Sequence, residues 1–403
     1  MSTELLAEPD VESPRAHEKL EKYPSTDASY ISRKELPGVS SPHGLTAKLK
    51  RWFKQYLVER WFLRRQSERL YLVFGGHIFF QTLHAGVHYG LFALLKQRPG
   101  LTRREIADEL GIKEQPARIM ILGLVASRLI KQRGQRLYNT VLSAELLCED
   151  SPTNIIPYVY LQHHVMYPGM QHFCEAVRTG KNAGLKEFLG DEPTLYQRLR
   201  HQPNIEKVFH NAMSALSVQT NATLADNLDL SGVRRLIDVG GGDGTNIMTL
   251  ARRHPHLQAS VFDFPSVCDI ANDRIAVSEM ADRLTTIPGN AFADEFPRGA
   301  DCFLFAHFCT IWSEDKNRLL FKKAYDALPR GGRVVVFNMM QANDESGPLS
   351  AAVGSPYFLA IATGEDMLYT WNEYASWLRD AGFSDVSCTT LPRDHGFITG
   401  IKR

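Results

Sequence analysis

The residues with the clearest chemical potential form a glycine-rich run followed by a carboxylate. The segment from Arg235 to Asp263 has the sequence RLIDVGGGDGTNIMTLARRHPHLQASVFD. A strand is predicted to end at Val239, and residues 240–244 form a turn in which glycines let the backbone approach a ligand. Asp263 ends the next predicted strand, where a carboxylate can accept hydrogen bonds from a ribose diol. The pattern predicts a nucleoside-containing cofactor at the strand tips of a β-α-β unit.

Two kinds of cofactor are bound by this layout. Dinucleotide sites have the pattern G-x-G-x-x-G, whose third glycine lies where helix and strand pack. That position is Thr245 when counted from Gly240, and Ile247 when counted from Gly242. The missing third glycine weakens the dinucleotide interpretation, and the spelling DVGGGDG favours S-adenosylmethionine.

The elements that position this turn are predicted from the alternation of apolar and helical segments after residue 234. Short apolar runs separated by helical stretches indicate an α/β doubly wound sheet. The final two runs have no helical spacer between them, so they are predicted to form an antiparallel hairpin. The seven predicted strands are 236–239, 259–262, 284–287, 302–305, 334–337, 386–389 and 397–401. Residues 229–403 are thus predicted to form a seven-stranded, Rossmann-like domain.

The beginning of the chain has a different character. Residues 1–44 are rich in proline and polar residues without apolar periodicity, and are predicted to be disordered or a surface arm. In residues 45–66, apolar side chains recur at three- and four-residue steps between lysines and arginines, which predicts a basic amphipathic helix. We expect this helix to pack on its own subunit or on a dimer partner, and attachment to a membrane surface is the alternative.

Residues 67–228 are predicted to form an all-helical winged-helix dimerisation domain and a substrate lid. Thr102 and Glu105 have the spacing of a capping box at a helix start. A second helix is predicted over 115–127, and 129–132 and 136–139 are typical of the strands of a wing. Nucleic-acid binding is not expected, because the second helix is mostly apolar, whereas groove recognition needs exposed polar side chains.

Composition restricts the class of protein. The chain has 403 residues, 44% of them hydrophobic, and a formal net charge of +1, which gives no global argument for binding nucleic acid or membrane. Its six cysteines show neither a C-x-x-C pair nor metal-ligand spacing. The sequence has neither the basic start and apolar run of a signal peptide nor a stretch of about eighteen apolar residues. We therefore expect a cytoplasmic protein, with membrane association through residues 45–66 as the alternative.

Six ordered motifs support a family resemblance. They are DVGGGDG, FDFP (262–265), GNAF (289–292), WSED (312–315), ALPRGGR (327–333) and AGF (381–383). With these motifs, residues 67–403 resemble the S-adenosylmethionine-dependent small-molecule O-methyltransferases of the caffeate and hydroxyindole type. Bacteriochlorophyll C-methyltransferases and carotenoid O-methyltransferases are also similar. The resemblance implies a class I methyltransferase domain, S-adenosylmethionine as cofactor, a small-molecule acceptor and a homodimer.

The same resemblance implies roles for the cofactor residues. Gly240 and Gly242 would hold the methionine part of the cofactor, Asp263 the ribose, and residues 290–292 the adenine. Asn290 stands where the family has an acid, but its amide can still pair with adenine. The full set of candidates is Asp238, Gly240, Gly241, Gly242, Asp263, Phe264, Asn290, Ala291, Phe292, Ala306 and Met213.

The chain departs from the family at the residues that take the acceptor proton. The family's histidine base before the tryptophan motif is replaced by Thr310, and the glutamate that orients it by Asn338. A second family glutamate falls at about Leu368. Threonine has no useful pKa near neutrality, so it cannot act as the base. Methyl transfer is expected to proceed by proximity and alignment, since the sulfonium is an excellent leaving group.

His307 is the nearest remaining residue for proton handling, and a packed wall histidine is the alternative. With Thr310 and Asn338 as hydrogen-bonding groups, it completes the candidate catalytic set. No metal is expected, because His163, His164 and His172 lack ligand spacing. The candidate acceptor-binding residues are Tyr160, His164, Met166, Met170, Phe173, Phe308 and Tyr357.

The predicted function is methylation of a conjugated or aromatic metabolite, with the hydroxyl oxygen favoured as acceptor. Methylation of a ring carbon or nitrogen is one alternative, because the usual base is missing. A cofactor-binding homologue with hydroxylation, decarboxylation or rearrangement chemistry is the other.

Overall fold

The computed structural model describes residues 49–50, 52–53 and 64–403. The chain divides into two units, with the boundary between Val73 and Phe74. The arm predicted for residues 1–44 lies outside the described residues. So does most of the amphipathic segment, of which residues 49, 50, 52 and 53 are helical. Membrane attachment through that segment remains a prediction.

The helices before the sheet are mostly short. Residues 152–227 form several helical pieces, because prolines and glycines interrupt the segment. The helices are α1 (Arg64–Phe74), α2 (Gly76–His88), α3 (Leu91–Gln97), α4 (Arg103–Glu109), α5 (Glu114–Ala126), α6 (Val141–Leu146), α7 (Ile156–Leu161), α8 (Tyr167–Met170), α9 (Phe173–Thr179), α10 (Leu195–Arg198) and α11 (Pro203–Asn227). A π-helical turn, Gln162–Met166, joins α7 to α8.

The predicted order of helix, turn, helix and hairpin is present. Thr102 caps α4, and its side chain and that of Glu105 form the predicted capping box. After α5, strands β1 (Ile130–Arg133) and β2 (Arg136–Asn139) pair antiparallel. The assignment of this region as a winged helix, and its role in dimerisation, remain predictions.

The second half of the unit is a seven-stranded sheet with helices on both faces. Its elements are β3 (Arg235–Val239), α12 (Thr245–Arg253), β4 (Gln258–Asp263), α13 (Pro265–Ala276), β5 (Leu284–Pro288), β6 (Cys302–Ala306), α14 (Glu314–Ala327), β7 (Arg333–Met339), α15 (Leu349–Tyr357), α16 (Trp371–Asp380), β8 (Ser384–Thr390) and β9 (His395–Ile401). Each predicted strand lies within an observed one, and the predicted final hairpin, β8–β9, is antiparallel.

The strand order is β5-β4-β3-β6-β7-β9-β8. Strands β3 to β7 are parallel, and β9 runs antiparallel to β7. The chain moves outward from β3 to β5 and then returns to β6 on the other side of β3. Ligands of such sheets bind where the order reverses, outside the carboxyl ends of the strands. Here that place lies between the turns that follow β3 and β6.

Two apolar clusters cover the faces of the sheet and hold these turns in place. On one face, Leu224 of α11 and Ile247 of α12 pack with Leu304 of β6. On the other, Phe321 of α14 and Tyr374 of α16 pack with strand residues. Among the helices described, no single one is long and apolar enough to cross a membrane; α2 and α3, bent by 55°, meet that criterion only as a pair.

Candidate active site

The turn after β3 requires glycine for two separate reasons. Gly240, Gly242 and Gly244 have φ values of +69°, +57° and +81°, a backbone region that side chains disfavour. A Cβ atom on Gly240 would also overlap the ring of Phe308, which lies in the turn after β6. Glycine at position 240 therefore lets the Phe308 ring of the turn after β6 pack directly against the backbone of the turn after β3.

Asp263 at the end of β4 faces the same turn. Its Oδ2 accepts a hydrogen bond from the backbone N–H of Gly242 (3.1 Å), and its Oδ1 accepts one from the N–H of Phe264 (2.7 Å). Burial raises the pKa of this carboxyl, and the two N–H donors oppose that rise. The side chain is thereby oriented beside the glycines, where a ribose diol would be recognised.

A series of hydrogen-bonded, buried polar side chains lies beside the glycine turn. The Asn221 amide donates to Asn246 Oδ1 (2.6 Å), and the Asn246 amide donates to Asp238 Oδ2 (2.9 Å). Asp238 is fully buried, which raises its pKa to about 7. Its Oδ1 has no hydrogen-bond partner within the described part of the chain. An acceptor left open beside the glycines fits a cofactor that carries donors.

The turn after β5 lies at the same edge of the sheet as the end of β4. Asn290 Oδ1 accepts from the N–H of Phe292 (2.9 Å), so the Asn290 side chain shapes the turn and presents its amide nitrogen as a donor. The ring of Phe292 meets Trp312 edge to face, with ring centroids 4.6 Å apart. Lys323 donates to the carbonyl of Ala291 (2.6 Å). These contacts give an apolar wall and a hydrogen-bonding edge of the kind that an adenine ring requires.

His307 follows β6 and has φ of +54°. Its ring lies among Phe337, His395 and Thr220, with centroids 4.9 Å and 5.3 Å from the first two and Nε2 3.4 Å from the Thr220 hydroxyl. Burial, together with the neighbouring His395, lowers the pKa of His307 to about 3. The imidazole is therefore neutral at physiological pH and a weak proton acceptor.

The residues at the family's base positions are buried close to His307. Thr310 is 4% exposed, and its hydroxyl donates to the His307 carbonyl (3.4 Å). Asn338 on β7 is fully buried, and neither end of its amide has a hydrogen-bond partner among residues 64–403. Leu368 is also buried. Because an unpartnered buried amide is costly, Asn338 fits a position that a bound ligand satisfies.

The predicted acceptor residues fall into three places. Met166, Met170, Phe173 and Tyr357 share one apolar cluster with α11 and the turn after α15, and Met213, which was predicted to bind the cofactor, lies in the same cluster. Tyr160 and His164 lie instead in a ring group with His84, whose ring stacks on His163 at 3.7 Å between centroids. Phe308 packs with the sheet face beside Gly240. The first group is thus the best candidate for the wall of an acceptor pocket.

The match to a protein family covers more than half of the chain. Residues 170–384 match the O-methyltransferase domain family. The chain belongs to this family. The matched region includes the glycine turn, Asp263, the Thr310 turn and Asn338.

Curated relatives of this methyltransferase cover most of its length. It is 37% identical over 336 residues to an L-tyrosine C(3)-methyltransferase of Streptomyces lavendulae, with 82% of this chain and 92% of the relative aligned. It is 36% identical over 324 residues to a 3-hydroxy-5-methyl-1-naphthoate 3-O-methyltransferase of Streptomyces sahachiroi, with 80% and 91% aligned.

Solved structures show the same fold. The S-adenosylmethionine-dependent methyltransferase SibL is 37% identical, with a TM-score of 0.74, and the alignment covers 83% of this chain and 98% of SibL. Human N-acetylserotonin methyltransferase in complex with S-adenosylmethionine is 22% identical, with a TM-score of 0.72 and coverage of 90% and 99%, a likeness of fold. The protein is an S-adenosylmethionine-dependent methyltransferase, as its sequence predicted.

Two residues near the acceptor cluster were not found from the sequence. Asp366, in the loop before α16, is 7% exposed, and burial raises its pKa to about 7. Tyr196 lies on α10, far away in sequence, yet its pKa is raised by burial and by Tyr357 and Asp366. The only sequence signal for Asp366 was its position two residues before Leu368, where the family has a carboxylate.

Proposed function

We propose that this methyltransferase transfers a methyl group to the hydroxyl oxygen of an aromatic small molecule. The observation that carries the proposal is the apolar cluster of Met166, Met170, Phe173, Met213 and Tyr357, because a site lined by aromatic and thioether groups suits a flat conjugated acceptor. The naphthoate O-methyltransferase relative supports oxygen as the acceptor atom.

In this proposal the chain supplies binding, orientation and exclusion of water. Asp263, the glycine turn and Asn290 hold the cofactor, which supplies an electrophilic methyl group when bound. Alignment of acceptor and methyl in a closed site can account for a large part of the rate acceleration. The buried amide of Asn338 hydrogen-bonds the acceptor, and neutral His307 shapes the wall behind it.

Methylation of a ring carbon is the second candidate, because the L-tyrosine C(3)-methyltransferase relative is equally similar. Relatives in Streptomyces with such acceptors also support a role in secondary metabolite biosynthesis. Both candidates require an aromatic ring with a hydroxyl group, so they differ in the atom that is methylated and not in the class of acceptor.

The test compares matched acceptors with purified full-length protein and methyl-labelled S-adenosylmethionine. A naphthol, the corresponding naphthylamine and the unsubstituted naphthalene differ at one position. We expect label to enter the naphthol alone. Labelling of the naphthylamine at an equal rate, or no labelling of any aromatic acceptor despite cofactor binding, would refute the proposed function.

A further inference from the structure

Asp366 has a buried carboxyl group that forms no ion pair with a lysine, arginine or histidine among the described residues. Thr363, three residues earlier in the same loop, donates its hydroxyl to Asp366 Oδ1. Oδ2 has no hydrogen-bond partner among the residues whose positions are described. Glu365 disfavours the ionised form, while its own side chain pairs outward with Lys316 (2.6 Å). One carboxylate oxygen is therefore held in place, and the other is buried with its hydrogen-bonding capacity unused.

Four tyrosines lie near enough to Asp366 to interact with it electrostatically. Burial raises the pKa values of Tyr196 and Tyr357, which lie close to one another, and those of Tyr369 and Tyr374, and the charge of Asp366 adds a smaller part to each rise. Tyr357 and Tyr196 belong to the apolar cluster that contains Met166 and Met170. The carboxyl group of Asp366 therefore lies close to two tyrosines of the cluster proposed as the wall of the acceptor pocket.

The loop is also connected to the Thr310 turn. The Thr363 hydroxyl lies 3.5 Å from the carbonyl oxygen of Ile311, and Tyr369 donates to the carbonyl of Trp312 (2.9 Å). Asp366 is thereby fixed to the segment in which relatives carry the base. A burial-raised pKa near 7 makes a carboxylate a much stronger proton acceptor than an exposed aspartate, and places it in the range that suits general-base catalysis near neutrality.

We propose that Asp366 is the catalytic base of this enzyme and accepts the hydroxyl proton of the aromatic acceptor on Oδ2. This inference rests on the proposed function. As the proton moves to Asp366, an oxygen electron pair of the acceptor forms the bond to the methyl carbon. The carbon–sulfur bond breaks, and its electron pair stays on sulfur, which becomes a neutral thioether. The proton then leaves Asp366 for solvent when the products are released.

The test uses Asp366→Asn in the full-length protein with two phenolic acceptors of similar shape. One is an ordinary naphthol, and the other is a nitro-substituted naphthol that is already ionised at the assay pH. General-base catalysis contributes about 10²- to 10⁴-fold. We expect a loss of that size in kcat for the ordinary naphthol and a loss below about tenfold for the ionised one. Thr363→Val is the matched variant, expected to raise the pH at which kcat reaches half its maximum.

A second readout does not depend on turnover. In wild-type minus Asp366→Asn infrared difference spectra, the carboxyl C=O band should titrate near neutral pH and shift when naphthol binds to cofactor-free protein. The assignment would be overturned if Asp366→Asn lost kcat equally for the two acceptors or kept the wild-type rate with the ordinary naphthol. It would also be overturned if the carboxyl C=O band did not shift when naphthol binds. If the wild-type protein itself methylates neither acceptor, the proposed function fails, and this outcome is distinct from failure of Asp366 alone.

Discussion

Replacement of Gly240 by alanine tests the geometry of the cofactor turn. The φ of +69° at Gly240 costs a non-glycine residue about 1–2 kcal/mol, and the new methyl group would overlap the Phe308 ring. Forcing extra volume into a packed site costs about 1–3 kcal/mol more. The expected loss in the free energy of unfolding is therefore about 2–5 kcal/mol, with a cofactor dissociation constant at least about tenfold higher.

Gly331→Ala is the matched control for the backbone strain. Its φ is +84°, and a Cβ there has no described atom within 4 Å. Urea unfolding should show a loss of about 1–2 kcal/mol for this variant, and calorimetry should show unchanged cofactor affinity. In the Phe308→Ala background, Gly240→Ala should cost about 1–3 kcal/mol less than in the wild type, because the overlapping ring is gone. Equal losses for Gly240→Ala and Gly331→Ala, or no coupling to Phe308, would refute the argument.

Three further predictions concern charge and surface. Burial raises the folded-state pKa of Asp238 from 3.8 to about 7, so the free energy of unfolding of the wild type should fall by up to about 4 kcal/mol as the pH rises from 4 to 7. In Asp238→Asn, urea unfolding at the same pH values should not show this decrease. Because the pKa of His307 is about 3, the pH dependence of kcat/KM between pH 6 and 8 should be the same in His307→Gln as in the wild type. Loss of that pH dependence in the variant would show that it arises from titration of His307. Ile119 and Leu122 on α5 are exposed (61% and 67%) and are predicted to lie in a homodimer interface. Replacement of both by glutamate should therefore give a monomeric mass in light scattering, whereas Val277→Glu, at another exposed site, should leave the mass of the dimer unchanged. A dimeric mass for the double variant would reject this interface.

The strands and the cofactor turn were predictable because their determinants are local. The run from Leu236 to Val239 is apolar, the glycines follow directly, and Asp263 ends the next strand, so sequence order and spatial order coincide. The capping box at Thr102 is local in the same way.

The acceptor side could not be predicted to the same extent, because its contacts join distant parts of the chain. Tyr196 and Asp366 are separated by about 170 residues and come together only through the fold. The sequence correctly marks the position of His307 after β6, but only its burial beside His395 lowers its pKa. Burial of Asp366 is likewise a property of the packed loop, whereas the sequence alone shows an ordinary aspartate that follows a glutamate.

The position of the transferred methyl group tests the central claim most directly. Purified protein is incubated with S-adenosylmethionine carrying a ¹³C-labelled methyl group and with a naphthol that is unsubstituted next to its hydroxyl, and the product is examined by carbon–proton correlation NMR. The account predicts a single labelled methyl group whose protons correlate with the ring carbon bearing oxygen, through an ether linkage. A labelled methyl group attached directly to a ring carbon, or no labelled product, would contradict it.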